Sequence, residues 1–562
     1  MLLHLGAPLV RLGDGVRLSA AAPAGSAGER LAASGAGADP VVAEFASMLD
    51  TLERSGREVL EAWEAPQHAP APTGQTHTVV RRRLDFESTP HLLHHCFFAQ
   101  PEGWPHPGDG FPVVPMTMSL SMMIEAVRGI AGDRVVIGLE NVRAHFWIAV
   151  EEPLEITIDA RFVADDRVHV RIDHYIDADV LLAAEYPAAP EADGSPLEGE
   201  RPVPFDAARM YADRWMFHGP AYQGVVELTG VGEHGIRGVL EEKPAEGALL
   251  DCAGQLFGLW IMLKADRDRM AMPVRLNRVT LYGPDPEPGT RFDCRVRIDH
   301  FGTRRVRSDI DVSTGGRVWC RMQGWEDRRF ETNDRLWSVM IFPETHLLSA
   351  PHGEIPGCCV MRESFERSTT RDYFARRYLD GPEVERYRAM NPRQQTEWLP
   401  NRIAANDAVR NWLWNQGHGP VFPIEVEIDA EESGRPRVRS EHAPDLRISI
   451  AGKPGVSAAI VAQGREVGID VERIEPRDRS FEDLAFTPTE RAMLPAEERD
   501  EWVARFWAAK EAAAKARGTG LEGNPKSVTI SERDGTRLRA DGRWISTARE
   551  GDLVFAWWIE EP

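Results

Sequence analysis

VGIDVE at residues 467–472 and RFWAAKEAAAKAR at 505–517 are the two stretches on which the reading of the chain turns. Side chains alternate across a strand, so Asp470 and Glu472 point to one face and present two carboxylates side by side. The second stretch is rich in Ala, Lys and Glu, as helices are, and a spacing of four puts Glu511 and Lys515 on one face. Three acids and a lysine that converge form a cage for Mg²⁺ and a phosphate-bearing ligand, because Mg²⁺ takes oxygen donors and shares them with substrate phosphates. Either stretch alone also reads as a solvated strand end or an ordinary amphipathic helix. The two together, in this order, favour the cage.

The 562 residues exceed what one core can organise and imply roughly two to four domains. A hydrophobic share of 42% with 27% charged residues is that of a soluble globular protein, and no apolar run is long enough to cross a bilayer. Residues 1–18 lack the cationic start and long apolar centre of a secretory signal, so a cytoplasmic location is expected. A net charge of -22 opposes nucleic acid as a general partner, while leaving room for a local basic patch that holds one phosphate compound. Cys96, Cys252, Cys294, Cys320, Cys358 and Cys359 lack paired metal-ligand spacing and read as buried free thiols.

Residues 1–75 read as an N-terminal segment: a short apolar start, an Ala/Gly/Ser-rich linker at 20–38, and a helix capped by Asp39 with an apolar stripe from Val42 to Leu52 that can dock on a neighbour. Residues 76–186 alternate as strands around one helix at about 116–130. The Pro- and Gly-rich acidic stretch 187–204 is a connection, and over 205–348 one helix at 250–263 is again followed by antiparallel strands. Two similar α+β units packed together are expected. Residues 349–371 read as a further linker and 372–562 as a third unit, which carries the opening pair of stretches.

The first two units hold a second chemical constellation. Residues 90–115 (PHLLHHCFFAQPEGWPHPGDGFPVVP) contain His91, His94, His95 and His106 and lead into a helix. Residues 249–255 (LLDCAGQ) set Asp251 at a helix start with Gln255 one turn later, preceded by FHGPAYQG at 217–224. A histidine and an acid from different units can act as general base and general acid across a shared cleft. Clustered histidines also suggest zinc, but no second ligand pair at metal spacing accompanies them.

HGPAYQG, DCAGQ and the PxLxxH…PVVP run resemble the dehydratase domains of polyketide and polyunsaturated fatty acid synthases. The resemblance implies a double hotdog fold, in which a histidine of the first hotdog removes the α-proton of a β-hydroxyacyl thioester and an aspartate of the second, in a DxxxQ motif, protonates the departing hydroxyl. Asp251 and Gln255 match that motif. For the base, the PxLxDH stretch aligns with 90–95 and points to His95, whereas HxxxGxxxxP is met literally by His106, Gly110 and Pro115. His95 is preferred, because 100–110 reads as a Pro- and Gly-rich insertion, a poor support for a base that must be held in one geometry.

The third unit resembles surfactin-synthetase-type phosphopantetheinyl transferases over 372–562. Gly434-Arg435-Pro436, the strand at 448–453, GIDVE at 468–472, FTPTE at 486–490 and FWAAKEAAAK at 506–515 occur in that family's order. The fold implied is a pseudo-twofold α+β transferase following the double hotdog. The activity implied moves 4′-phosphopantetheine from coenzyme A, as co-substrate, to a serine of an acyl carrier protein. The resemblance assigns Asp470, Glu472 and Glu511 to Mg²⁺, Lys515 and Lys510 to phosphates, Glu490 or Glu511 to the serine proton, Gly434 and Arg435 to the adenine, and Arg402 to the 3′-phosphate. Two departures stand out. Ala451-Gly452 replaces the family's Ser-His, with Lys453 as a compensating cation, and Asn406 replaces a second basic residue one turn after Arg402.

The expectation is thus a bifunctional carrier-dependent enzyme, a C-terminal part of a polyketide-synthase-like megasynthase with upstream domains and a carrier in cis or in trans. A homodimer is compatible with double hotdog shapes. The competing readings are a non-catalytic docking scaffold and a hotdog that cyclises as product-template domains do.

Overall fold

The computed structural model describes residues 10–12, 15–17, 76–362, 365, 367–440 and 442–561. Strands β1 (Val10–Leu12) and β2 (Gly15–Arg17) form an antiparallel hairpin. The linker at 20–38 and the docking helix beginning at Asp39 lie outside the described residues.

The first hotdog comprises β3 (His77–Leu84), α1 (Met116–Arg128), β4 (Val135–Ala144), β5 (Leu154–Ala164), β6 (Arg167–Ile172) and β7 (Ile176–Ala183). The second comprises α2 (Ala207–Ala212), β8 (Val225–Gly232), β9 (Gly235–Glu241), α3 (Ala248–Lys264), β10 (Ala271–Leu281), β11 (Arg291–Phe301), β12 (Arg305–Thr314) and β13 (Arg317–Arg329). Strand β6 ends at Ile172, where Asp173 takes a left-handed turn conformation (φ 43°), and β7 returns antiparallel to it. All eleven strands join one antiparallel sheet in the order β3-β5-β6-β7-β4-β10-β13-β12-β11-β9-β8, and the β4–β10 pairing, with Arg143 opposite Arg275, is the seam between hotdogs.

Alternate residues of these strands face α1 and α3, as the buried positions of RVHVRI in β6 illustrate. The two helices are themselves buried on most sides; Phe257 and Trp260 of α3 are at most 2% exposed, and burial of each contributes about 1.5–3 kcal/mol. Helix α3 starts from Gly247 in a left-handed conformation (φ 76°), where a Cβ would fall 2.5 Å from the backbone nitrogen of Met118 in α1. Only glycine satisfies both the backbone and the approach. The hotdogs are further tied by the Arg82–Glu246 ion pair at 2.6 Å and by Gly219 N–H donating to the carbonyl of His94 at 2.7 Å.

Helix α4 (Asp334–Ile341), capped by the Asn333 side chain, leads to the third unit. There the stretch expected as a linker over 349–371 contributes β14 (Ala350–Pro351) and β15 (Cys358–Met361), whose CCVM sequence is wholly buried. With β16 (Glu427–Ala430), β17 (Pro436–Arg439), β18 (Leu446–Lys453) and β19 (Val456–Gln463) they form a six-stranded sheet in the order β14-β15-β19-β18-β17-β16. Helices α5 (Ser368–Tyr378), α6 (Gly381–Ala389) and α7 (Pro392–Asn415) precede β16; the start of α7 is fixed by the Asn391 capping box and Pro392 in its first turn.

A five-stranded sheet, β20-β24-β23-β22-β21, follows from β20 (Val467–Arg473), β21 (Ile530–Asp534), β22 (Arg537–Ala540), β23 (Arg543–Glu550) and β24 (Leu553–Ile559). It is packed by α10 (Arg499–Arg517), with the short helices α8 (Arg479–Ala485) and α9 (Pro488–Met493) between. Helix α7 on one sheet and α10 on the other give the pseudo-twofold plan. No helix among the described residues is long and apolar enough to cross a membrane.

The third unit is not a separate bead. Phe98 and Phe111 of the first hotdog share a buried cluster with Tyr373 and Phe374 of α5, and the Phe98 and Tyr373 rings meet edge to face at 4.9 Å. Asp407 and Arg410 of α7, both fully buried and 3.0 Å apart, receive Ser349 N–H and Oγ–H and bind the carbonyl of His346, which anchors the connecting segment.

Gly468 of β20 sits where a Cβ would lie 2.0 Å from the carbonyl oxygen of Ala512 in α10. Gly468→Ala is therefore expected to push α10 off β20 and to destabilise the protein by about 1–3 kcal/mol, read as a lowered thermal midpoint.

Candidate active sites

His95 ends a single 3-10 turn, Pro90–His94, whose start is fixed by Pro90. Its Nδ1 lies 2.6 Å from the carbonyl oxygen of Val113. A carbonyl only accepts, so Nδ1 carries the proton and Nε2 keeps its lone pair. That Nε2 lies 3.9 Å from Asp251 Oδ1, in the first turn of α3. His95 is 6% exposed, and burial pushes its pKa down to about 4 despite the opposing charge of Asp251.

Asp251 is held from two further sides. Gln255 Nε2 donates to Oδ2 at 2.9 Å, and His218 Nε2 lies 3.2 Å from the same oxygen. Gln255 is itself oriented by donating to the carbonyl of Tyr222 at 2.8 Å and accepting from Tyr211 Oη at 2.7 Å. Burial raises the Asp251 pKa, but His218, the hydrogen bonds and His95 outweigh it, and the net shift is downward. The ligand atoms of His95, His218 and Asp251 all lie within 4.8 Å of one another. His218 and Asp251 thus form one polar pair, 3.2 Å apart, facing His95.

The trio opens into a cavity of about 150 Å³ with largely apolar walls, including Phe97, Met272 and Trp337. Asp327 also lines it, and burial raises its carboxyl pKa to about 7. His106 is exposed, and His94 Nδ1 accepts the Ala221 N–H at 3.0 Å, a tie between the hotdogs.

In the third unit, Asp470 and Glu472 project from β20 toward α10. Lys515 Nζ lies 2.7 Å from Asp470 Oδ1, and Lys453 Nζ lies 2.8 Å from Glu472 Oε1. Asp470 Oδ2 and Glu472 Oε2 are buried without a hydrogen-bond partner. Burial, and then repulsion from Asp470, raises the pKa of both Glu472 and Glu511. Arg477 Nη2 lies 3.6 Å from Glu472 Oε2, beyond hydrogen-bond reach, and carboxylate oxygens that accept no hydrogen bond among three acids fit a divalent cation.

The remaining candidates are engaged elsewhere. Arg402 is held by Glu383 and the carbonyl of Ile428, and burial lowers its pKa to about 10. Arg435 pairs with Glu466 beside Gly518, the cap of α10, next to the Gly434 turn. Asn406 is buried and donates to the carbonyl of Pro423 at 2.7 Å, so that position faces the interior rather than a nucleotide.

Glu490 and Lys510 are engaged with each other. Both are fully buried and form an ion pair at 3.0 Å; Glu490 also accepts the backbone N–H groups of Thr487 and Ile530, and Lys510 donates to the carbonyl of Ala485. Both Glu490 oxygens and the Lys510 ammonium are occupied by these partners. They fasten α9 and β21 to α10.

Residues 188–336 match the family model of the polyketide synthase dehydratase N-terminal domain, and 466–558 match that of the 4′-phosphopantetheinyl transferase superfamily. One region of the chain is thus similar to polyketide synthase dehydratase domains and the other to phosphopantetheinyl transferases. The first match contains His218, Asp251 and Gln255; the second contains Asp470, Glu472, Glu511 and Lys515.

The transferase region is 29% identical over 153 residues to the L-aminoadipate-semialdehyde dehydrogenase-phosphopantetheinyl transferase of Eremothecium gossypii, covering 24% of this chain and 52% of that protein. It is 31% identical over 112 residues to the 4′-phosphopantetheinyl transferase HetI of Nostoc sp., covering 19% and 47%. The chain thus spans about half the length of these relatives. Among solved structures, the dehydratase domain of a mycocerosic acid synthase-like polyketide synthase aligns at 18% identity over 48% of this chain and 99% of its own, with a TM-score of 0.36. A trans-AT polyketide synthase dehydratase domain from Brevibacillus brevis aligns at 17% over 48% and 100%, with a TM-score of 0.37.

Sequence reasoning passed over His218 and Tyr211. The FHGPAYQG stretch was the available signal for His218, but its histidine meets Asp251 only through the fold. The buried ion pair of the transferase region gives a direct test. Lys510→Met is expected to cost about 3–5 kcal/mol by stranding the Glu490 charge, and Lys510→Met with Glu490→Leu to recover much of it in thermal unfolding.

Proposed function

We propose that the chain dehydrates carrier-bound β-hydroxyacyl thioesters and primes carriers with 4′-phosphopantetheine in polyketide-type synthesis, alongside upstream synthase domains. The observation that carries the dehydratase reading is the buried 3.9 Å approach of His95 Nε2 to Asp251 across the two hotdogs. His95 Nε2 takes the α-proton, the Cα–H electrons form the double bond, and the β C–O bond breaks as the Asp251–His218 pair delivers a proton to the departing oxygen, releasing water. Gln255 and Tyr211 hold the carboxylate in place. The Val113 carbonyl holds the imidazole.

For the transferase, the support is the pair of buried oxygens on Asp470 and Glu472 that accept no hydrogen bond. With Glu511 they would hold Mg²⁺, which when bound supplies positive charge against the coenzyme A diphosphate. Glu511, its pKa raised by burial, takes the proton of the carrier serine as the serine oxygen bonds to the pantetheine-side phosphorus. Adenosine 3′,5′-bisphosphate leaves with the electrons of the broken P–O bond. Lys515, Lys453, Arg435 and Arg402 each have a carboxylate partner that a phosphate must displace, with Arg435 and Gly434 toward the adenine.

With a β-hydroxyacyl thioester, His95→Ala and Asp251→Asn are each expected to lower kcat by about 10²–10⁴-fold, measured as enoyl product. His106→Ala should leave the rate unchanged. The working form of His95 is neutral and its folded pKa is depressed. The acid limb of kcat/KM therefore stays level as pH falls through about 6.5 and drops only near about 4. Incubation with coenzyme A, Mg²⁺ and an apo carrier should add a phosphopantetheinyl mass to the carrier, lost with chelator and with Asp470→Ala. An unmodified carrier beside an active control transferase would overturn the priming activity.

A further inference from the structure

A second cavity, of about 570 Å³, adjoins the dehydratase site and shares Phe97, Arg214, Phe217 and His218 with the inner one. Its walls come from three parts of the chain: the hairpin that carries His95, the second hotdog, and helices α4 and α5 leading into the transferase region. Two guanidiniums line it, Arg214 and Arg377, and no carboxylate does. In a chain of net charge -22 that is a local reversal of sign.

Arg377 of α5 is 4% exposed. Its Nη2 donates to the carbonyl of Met340 at 2.6 Å, and the guanidinium lies over the Phe98 ring, 4.9 Å from its centre. Its Nε and Nη1 are buried with no hydrogen-bond partner. Arg214 gives Nη1 to Glu344 at 2.8 Å and to the carbonyl of Ile341. Glu344 acts on Arg377 through charge alone, without an ion-pair contact, so two cations share one carboxylate. Leaving a buried guanidinium with two idle donors costs several kcal/mol unless an anion completes it. Nε–H and Nη1–H are separate donors, each able to give a charge-assisted hydrogen bond to a phosphate oxygen.

Resting on the dehydratase reading, we propose that Arg377, with Arg214 beside it, binds the phosphodiester of a 4′-phosphopantetheine arm while the attached acyl chain reaches His95 and Asp251. The transferase region would then complete the entrance of the dehydratase region, and a phosphorylated arm would be preferred to a bare thioester.

The test uses the full chain and three thioesters of one β-hydroxyacyl group: pantetheine, 4′-phosphopantetheine and coenzyme A. The phosphopantetheine thioester is expected to have a KM about tenfold below that of the pantetheine thioester. Arg377→Gln and Arg377→Met should collapse this ratio to about one. Equal KM values in the unaltered chain, or a ratio that survives both substitutions, would overturn the proposal. So would a coenzyme A thioester preferred over phosphopantetheine through Arg377, which would assign the site to a diphosphate. Titration of 4′-phosphopantetheine against pantetheine, followed by tryptophan fluorescence, separates the two levels. Tight Arg377-dependent binding without turnover of any thioester would remove the dehydratase activity and leave the anion site. Turnover without phosphate preference would do the reverse.

Discussion

The dehydratase region depends on how closely α3 approaches α1. At Gly247 the two helices come so near that a methyl group would fall within 2.5 Å of the Met118 backbone. That contact, with the β4–β10 seam, holds one hotdog against the other. The Asp251 carboxylate, one turn into α3, is thereby brought to the imidazole that ends the Pro90–His94 turn. Acid and base come from separate halves, so their 3.9 Å separation follows from domain packing and is not a local feature of either motif. The hydrogen bonds from Val113, Gln255 and His218 then fix proton positions within that frame.

Legibility in the sequence followed the range of the interaction concerned. DCAGQ and GIDVE were readable because helical and strand periodicities place residues four or two apart on one face without help from the rest of the fold. Turns with Pro and Asn caps were readable for the same reason, whereas the CCVM strand at 358–361 looked like linker because its partner, β19, lies about a hundred residues away. Strands β21 to β24 and helix α4 were passed over: β21 (ISERD) and β22 (RLRA) are short and charged and take their form from neighbours, whereas the apolar β24 (LVFAWWI) carried a readable strand signal. Glu490 and Lys510 fell at family positions, but a spacing cannot tell a solvated carboxylate from one enclosed by an ammonium and two amide N–H groups. His218 was hidden by the converse problem, since its partner is 33 residues away in sequence and 3.2 Å away in space.

The two regions are bound by more than a tether. Helix α5 stacks aromatic side chains onto the hairpin that supports His95, and Arg376 both covers the Phe111 ring and pairs with Glu151. The buried Asp407–Arg410 pair fixes the connection from the other side. Removing either partner would leave a charge stranded in the interior, so this junction resists opening even though an isolated pair adds little net stability. A carrier serving both regions would meet surfaces held at a constant distance, which sets its effective concentration at the second site.

The departures from the transferase pattern acquire a physical meaning at Gly452. A Cβ there would lie 2.2 Å from Asn401 Oδ1, so the amide of Asn401 occupies the space into which a side chain at 452 would grow. That Oδ1 has no hydrogen-bond partner, while the Asn401 amide nitrogen donates to the Glu397 carbonyl. An acceptor oxygen cannot bind a phosphate, so Asn401 fills the volume without restoring the contact. The cations nearby, Lys453 and Lys515, instead neutralise Glu472 and Asp470. Entry of a divalent cation would release both lysines from those carboxylates at the moment a diphosphate needs them. Phosphate contacts through these lysines would therefore depend on the cation, where the family's histidine would supply one independently.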